Sequence, residues 1–320
     1  MKICFVTNTH FAKNNELTTY DLAFAAYERE HEVFLITVLD FSSMGNDILG
    51  KVKVIKEKGI KSRKELVEKI DSYPTEKIKL SALDVLFLRH KYKSYQKIPE
   101  AYHKTVREYA FHLSESGVKV FNDPKYLPFV SSKIATMGLD KLILPEHQLV
   151  SNDFEELQAF CKDILNYEGV MKNLHGSGGD DVFFIDKRNI RNNLNSLLRK
   201  SPVVVQSYIK NEGDKRILLL NGDPIAWYMR VAQEGEGLHN IHAGAKPVAC
   251  DLTERDLKII DVVKPKLKKC NMLFVGIDTL GGYLSEINSE NPGGTVRADY
   301  FGKFNSREKV IEFIESKIKK

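Results

Sequence analysis

The stretch FVGIDTLGGYLSEINSENPGG, residues 274–294, carries oxygen donors at a spacing that can do chemistry. The runs Leu273–Leu280 and Leu284–Asn288 read as short strands, and Gly281-Gly282 between them reads as a hairpin turn. Side chains alternate faces along a strand, so Glu286 and Asn288 share one face and Ile287 points into the core. Asp278 faces Glu286 across the hairpin if Leu280 pairs with Leu284. The loop is then Gly281-Gly282-Tyr283, whose glycines supply positive φ. Two carboxylates and an amide oxygen on one surface suit a hard cation such as Mg²⁺, which binds one or two carboxylates together with substrate phosphates. The alternative is an ordinary polar strand face.

Two further segments offer partners for anions. The strand Gly169–Asn173 runs into His175-Gly-Ser-Gly-Gly-Asp-Asp181 and then a strand over Val182–Ile185. A glycine-rich turn between strands can set backbone N–H groups around phosphate oxygens, although such a turn also serves simply to reverse the chain. Lys172 on the entering strand makes the phosphate reading more specific. The segment is neither GxxxxGK[ST] nor GxGxxG, which excludes P-loop and Rossmann sites. Arg89 directly follows the apolar run Leu83–Leu88, a buried strand. Ligands of open α/β sheets bind at that edge, so Arg89 is either an anion anchor or a surface arginine. His239 and His242 have HxxH spacing but no Cys or His pair beside them, which argues against zinc. Ser94–Lys97 matches SxxK without KTG or SDN, which argues against a serine acyl-enzyme.

The elements that must position these groups follow in order. KICFVT (2–7), a helix over Leu17–Arg29 and a strand over Val33–Val38 form a β-α-β unit with a right-handed crossover. Residues 41–80 are less regular: KVKVIKEKG suits a strand or an edge hairpin, Arg63–Ile70 a helix, and the lysines a solvated face. Pro99–Glu115 reads as a helix and Val118–Phe121 as the next strand. Asn122-Asp123-Pro124 marks a boundary. Ser131–Met137 begins a helix carrying Lys133. A strand over 148–150 and a helix over Asp153–Leu165 come next, then a strand over Val203–Ile209. The strands Ile217–Leu220 and Ile225–Val231, the latter ending near Arg230, flank the turn Asn221–Pro224. The polar, glycine-containing stretch Gln233–Ala245 reads as a mobile loop. Thr253–Lys269 reads as a helix kinked or restarted at Pro265, and Glu308–Lys320 as an amphipathic terminal helix.

Composition narrows the class. The chain has 320 residues, of which 42% are hydrophobic and 28% charged, enough for two or three domains with sizeable cores. The net charge of +5 fits an anionic ligand, and no aromatic-studded basic stripe calls for nucleic acid. No apolar run approaches ~18 residues, so no membrane span is expected. MKICFVTN enters a strand directly and lacks a signal pattern. Cys4, Cys161, Cys250 and Cys270 are scattered without a CxxC pair, as reduced thiols of a cytoplasmic protein would be.

Several segments, in order and at matching spacing, resemble bacterial-type glutathione synthetase of the ATP-grasp superfamily. They are Phe121-Asn-Asp-Pro124 with Lys133, Val170-Met-Lys-Asn173 with Gly176–Gly179, Gly213-Asp-Lys-Arg216, Leu252-Thr-Glu-Arg-Asp256, and Val275-Gly-Ile-Asp278 with Glu286-Ile-Asn288. The resemblance covers most of the chain and is weakest over 41–80. It implies an α/β ATP-grasp fold of three domains: an N-terminal parallel-sheet domain (1–121), a central lid (122–202) and a C-terminal domain with the metal site (203–320). It implies that ATP phosphorylates a carboxylate and that an amine attacks the acyl phosphate. In glutathione synthetase the carboxylate belongs to γ-glutamylcysteine and the amine is glycine.

By position, the resemblance implies ATP contacts from Lys133, Lys172, the turn Gly176, Ser177, Gly178 and Gly179, and an adenine hinge of Gln206, Ser207, Tyr208 and Ile209. Arg216 and Arg230 match catalytic arginines near the transferred phosphoryl group and the peptide substrate. Arg89, Asn240, Asn291, Pro292 and Gly293 fall toward the substrates. Asp278, Glu286 and Asn288 match ligands of Mg²⁺, with two ions expected and Mn²⁺ as a substitute. The partners implied are small molecules or peptides, with a homo-oligomer left open. Three departures from the family pattern lie toward the substrates. His90-Lys-Tyr-Lys-Ser94 replaces Lys-Asp-Pro-Pro, Leu238 replaces an arginine, and Glu290-Asn-Pro-Gly293 replaces Thr-Ser-Pro-Thr. A ligase with a different acceptor is therefore the main alternative, followed by a non-catalytic nucleotide-binding regulator.

Overall fold

The computed structural model describes residues 1–8, 10–91, 99–130, 133–175, 181–232 and 245–318. Three sheets organise them. In the first, continuous apolar runs make the parallel strands β1 (Lys2–Thr7), β2 (Glu32–Thr37), β6 (Val85–Leu88) and β7 (Lys119–Phe121), in the spatial order β2-β1-β6-β7. Helices α1 (Thr18–Glu28) and α3 (Glu100–Glu115) make the crossovers between β1 and β2 and between β6 and β7. Burial on both faces explains the unbroken hydrophobicity of β1 and β6. The irregular stretch after β2 extends this sheet with antiparallel strands β3 (Phe41–Met44), β4 (Asp47–Ile55) and β5 (Thr75–Lys79). Between β4 and β5, α2 (Arg63–Glu68) is capped by the Ser62 hydroxyl, which accepts from the Glu65 N–H.

The chain leaves β7 through α4 (Leu127–Val130) and a 3₁₀ turn over Lys133–Thr136, where the sequence suggests a helix carrying Lys133. An i+3 hydrogen bond from Met137 N–H to the Ile134 carbonyl (2.8 Å) closes that turn, and Gly138, at φ +80°, ends it. The Lys266 ammonium donates to the Ala135 and Met137 carbonyls, which a longer helix would have used internally.

The second sheet is antiparallel: β8 (Gln148–Ser151), β9 (Gly169–Asn173), β10 (Val182–Phe184) and β11 (Val203–Ser207), ordered β10-β9-β11-β8. The helix expected over 153–165 starts as α5 (Phe154–Ala159) and widens to a π-helix over Phe160–Ile164. A further helix, α6 (Ile190–Leu198), packs Ile190, Leu194 and Leu197 onto the sheet. That i, i+4, i+7 stripe was its signal in the sequence.

The third sheet is also antiparallel: β12 (Asp214–Leu220), β13 (Asp223–Val231), β14 (Lys246–Val248), β15 (Phe274–Leu280) and β16 (Tyr283–Asn288), ordered β14-β13-β12-β15-β16. Helix α7 (Glu254–Lys269) opens with a capping box of Thr253 and Asp256 and runs through Pro265 without restarting. Helices α8 (Thr295–Gly302) and α9 (Ser306–Ile318) return the chain to the first sheet. There α9 lies on α1, and Arg29 donates twice to Glu315, at 2.8 Å each. No helix among the described residues is long and apolar enough to cross a membrane.

The β15–β16 hairpin differs from the expected register. Leu280 pairs with Tyr283, so the turn is the two residues Gly281 and Gly282, both at positive φ (55° and 81°). A bulge between Asp278 and Thr279 on one strand, opposite the step from Glu286 to Leu284 on the other, restores the phase. Asp278 still faces Glu286. The turn packs tightly: a Cβ on Gly281 would lie 2.5 Å from Ile209 Cγ2.

Candidate active site

Cross-strand pairing assembles a charged surface on the third sheet. In register, Asp214 opposes Arg230, Arg216 opposes Asp278, and Asp278 opposes Glu286. Arg216 Nε donates to Asp278 Oδ1 (2.5 Å) and Nη2 to Oδ2 (3.0 Å). Arg230 Nη2 lies 3.2 Å from the same Oδ1, and its Nε donates to Asp214. Asn288 Nδ2 donates to Asp278 Oδ2 at 3.2 Å. Burial alone would raise the pKa of Asp278, but the two guanidinium groups outweigh it and hold the carboxyl well below the usual range. Gly276 leaves the room Arg216 requires, since a Cβ there would meet Arg216 Cδ at 3.3 Å.

Lys133 and Lys172 converge from the segment after β7 and from β9. Lys133 Nζ donates to the Leu174 carbonyl (3.1 Å). Burial pushes the Lys172 ammonium down to about 8, Lys133 adds to the shift, and Glu286 opposes it. Lys133 is also lowered by burial and opposed by Glu286. The Glu286 carboxylate thus lies in the field of both lysines and makes no hydrogen bond among the described residues.

A loop over 289–295 closes the other side. The Asn122 amide donates to the carbonyls of Phe274 (2.6 Å) and Ser289 (2.8 Å) and accepts from Phe274 N–H (2.8 Å). Arg89 Nη2 donates to the Pro292 carbonyl (2.7 Å), Arg216 Nη1 to that of Gly293 (2.9 Å), and Gly294 N–H to Thr18 Oγ1 (2.9 Å). Arg89 is 2% exposed, so it is not a surface arginine. Its Cζ stands 5.7 Å from the ring centroids of Phe87 and Phe274, and its Nε and Nη1 have no partner among the described residues. Burial lowers it to about 9. The imidazoles of His90 and His103 lie 5.3 Å apart, and burial pushes them down to about 3 and about 4, so both are neutral at pH 7. Among the described residues the geometry therefore offers a cationic lining, the unbonded Glu286 carboxylate and a buried Arg89 guanidinium with two unpaired nitrogens.

At the hinge, Gln206 is buried, while Tyr208 is exposed and meets Phe184 edge-on at 5.7 Å. Ser207 ends β11 and Ile209 packs on Gly281. Gly176, Ser177, Gly178, Gly179 and Asn240, with Leu238, His239, His242 and most of Gln233–Ala245, lie outside the described residues, as do Ser94 and Lys97.

Residues 132–301 match the family model for the ATP-grasp domain of prokaryotic glutathione synthetase. The chain belongs to that family. Curated relatives agree along its length: it is 29% identical to the glutathione synthetase of Mesorhizobium japonicum, with 94% of each chain covered. It is 33% identical to that of Synechocystis over 63% of this chain and 64% of the relative. Among solved structures, the ATP-grasp ligase PsnB complexed with a minimal precursor superposes with a TM-score of 0.66 at 13% identity, covering all of both chains. D-alanine–D-alanine ligase from Bacillus anthracis superposes at 0.60 and 14%, covering 99% of this chain and 97% of that one. The protein is thus an ATP-grasp enzyme, an ATP-dependent carboxylate–amine ligase of the glutathione synthetase kind that uses a divalent metal.

The donor set fits that metal unevenly. The Glu286 carboxylate and Asn288 Oδ1 are hard oxygen donors on one face. The four acceptor directions of Asp278 are taken by Arg216, Arg230 and Asn288. No group of three or more His, Cys, Asp or Glu able to hold a metal occurs among the described residues. Sequence reasoning missed Asp214, Phe184, Thr18 and the bridging role of Asn122. Only Asp214 had a local signal, its period-2 spacing from Arg216 on a strand.

Proposed function

We propose that this enzyme phosphorylates the carboxylate of a γ-glutamylcysteine-like peptide and joins it to an amino acid or amine. The observation that carries this reading is the convergence on one surface of Lys133, Lys172, Arg216 and Arg230 with Glu286 and Asn288. Phosphoryl transfer needs little covalent help and relies on cations set around the charged oxygens. Lys133 and Lys172, with the turn 176–179, hold the nucleotide phosphates, and the hinge 206–209 meets the adenine. Arg216 and Arg230 orient the transferred phosphoryl group. Arg89, Asn240 and Asn291-Pro292-Gly293 bind the substrates.

Glu286 and Asn288 hold Mg²⁺, two ions in the full site, with Mn²⁺ as a substitute. Asp278 joins that set only when Arg216 or Arg230 gives up a hydrogen bond to it. The metal supplies charge neutralisation at the phosphates. Segments 1–121, 122–202 and 203–320 serve as domains, with β11 tying the third into the second sheet. The four cysteines are all free, and we place the enzyme in the cytoplasm.

A second reading, an acceptor larger than glycine, rests on Gly293. A Cβ there would meet nothing closer than Thr18 Oγ1 at 3.9 Å, so the site has room beside it. Hydroxylamine, a small nucleophile, separates the two halves of the question. With ATP, Mg²⁺ and γ-glutamylcysteine the enzyme should yield ADP and a hydroxamate detected by mass. Glycine is then compared with larger amino acids. Hydroxamate formation with exclusive use of glycine establishes plain glutathione synthesis. No hydroxamate with any peptide donor refutes acyl transfer.

A further inference from the structure

The chain crosses into the second sheet through residues 141–147 and leaves it through 208–213. One side chain, Arg255 on α7, ties the first crossing to the hairpin turn on which the second crossing packs. On the inward path, Lys141–Ile143 form a 3₁₀ turn capped by Asp140, whose Oδ1 accepts from the Leu142 N–H (2.8 Å). Pro145 stands three residues after Leu142 and has no N–H to give the Leu142 carbonyl. Arg255 Nη2 donates to that carbonyl instead. The same guanidinium donates from Nε to the Gly282 carbonyl (2.7 Å), and its Cζ stands 5.3 Å from the Tyr283 ring centroid. On the outward path, Ile209 and the Lys210 carbonyl press on the other half of the turn: a Cβ on Gly281 would lie 2.5 and 2.9 Å from them. The Ser207 N–H donates to the His147 carbonyl (3.0 Å), so the two paths are also joined where they meet the sheet.

We infer that Arg255 is a positioning residue for nucleotide binding, which fixes the pivot about which the second sheet meets the third. The inference rests on the reading above that ATP lies between Lys172 of the second sheet and Glu286 of the third. Lys172 sits on β9, and Glu286 on β16, the strand that leaves the turn Arg255 holds. Two crossings tied to one tightly packed turn leave the second sheet few orientations. Without the tie, the inward crossing moves independently of the turn, and the orientation that brings both sheets to the nucleotide becomes one among several. The apparent affinity of a ligand that needs that orientation falls in proportion to the fraction of molecules that hold it. The residues that touch the phosphates are unchanged, because the contacts of Arg255 are two backbone carbonyls and a ring. An arginine suits the task. Its planar fork aims Nε and Nη2 in separate fixed directions, whereas an ammonium is a point charge on a flexible stem.

The test compares wild type, Arg255→Met, Arg255→Lys and Glu315→Gln in the full chain, with the ATP analogue AMPPNP and Mg²⁺ as the probe. Calorimetry gives the affinity, small-angle scattering the contraction on binding, and amide exchange the mobility of residues 208–211 and 281–283 without nucleotide. Glu315→Gln removes the Arg29 and His31 contacts on α9, far from both crossings in the chain, and serves as the stability control. Arg255→Met should weaken AMPPNP binding about tenfold or more, the range of one hydrogen bond to a charged group. It should also speed exchange in both segments before nucleotide is added. Arg255→Lys, which keeps the charge without the fork, should recover only part of the affinity. Glu315→Gln should lower the melting temperature and leave AMPPNP affinity within about twofold of wild type. Wild-type affinity and exchange in Arg255→Met, full affinity in Arg255→Lys, or an equal loss of affinity in Glu315→Gln overturns the role of Arg255. A wild type that binds AMPPNP without contracting overturns instead the reading that the nucleotide is clasped between the two sheets.

Discussion

Arg216 and Asp278 stand opposite each other on β12 and β15, and one guanidinium donates to both oxygens of the carboxylate, at 2.5 and 3.0 Å. Arg230 reaches the same carboxylate from β13. A group that the family pattern assigns to metal is thus also the counter-charge for two buried arginines. Asp278→Asn should cost stability as well as activity, about 3–5 kcal/mol, because it leaves buried guanidinium groups without their charge partner. Denaturant unfolding without nucleotide measures this. A loss under about 1 kcal/mol would show that the arginines find other partners.

Glu286 presents the opposite case. Its carboxylate makes no hydrogen bond among the described residues and is only partly buried, so Glu286→Gln should shift the melting temperature by less than about 2 °C. With Glu286 holding the metal as proposed, turnover should fall at least about 100-fold, since negative charge is lost there. Wild-type turnover at saturating Mg²⁺ would remove Glu286 from the metal set.

Lys172 is held with its charged form disfavoured by burial. Lys172→Met should therefore leave nucleotide-free stability unchanged or slightly raised, while ATP affinity, measured by calorimetry, drops about tenfold or more. Unaltered affinity and turnover would return Lys172 to a purely structural place in β9.

Asn122 ties the two open ends of the β15–β16 hairpin to the end of β7 through three buried hydrogen bonds. Asn122→Ala should destabilise by about 2–4 kcal/mol, since it strands buried backbone groups on Phe274 and Ser289. Amide exchange at Phe274 should accelerate relative to the rest of β15. Exchange that stays uniform along β15 would argue against a latch.

The Arg29–Glu315 contact makes stability depend on acid. Hydrogen bonds from Arg29, followed by that from His31, hold Glu315 down to about 2, against an ordinary value of 4.5. A carboxyl depressed in the folded state stabilises above its unfolded pKa and loses that contribution as pH falls from about 4.5 toward 2. Glu315→Gln should lower the melting temperature at pH 7 and narrow the gap to wild type across that window. A gap that does not shrink on acidification would show that α9 docks on α1 without help from this charge.

The sequence by itself determined what local periodicity and residue chemistry can encode. Alternation set Glu286 and Asn288 on one face and buried Ile287, which is 1% exposed. The apolar runs of β1, β2 and β6 announced a parallel sheet, and the motif set around Lys172, Arg216 and Asp278 announced the family. Tertiary structure decided what depends on partners far along the chain. An eight-residue separation of Asp278 from Glu286 suits both a three-residue loop and a two-residue turn with a bulge, and only packing of Gly281 against Ile209 and the strands around it selects between them. Arg89 ends a strand in either case. It is a buried cation because a carbonyl 203 residues away comes to cover it. Asp278 reads as a free ligand in the sequence. It is saturated because sheet order brings β12 and β13 beside β15, and strand order is a property of the whole chain that no local spacing carries.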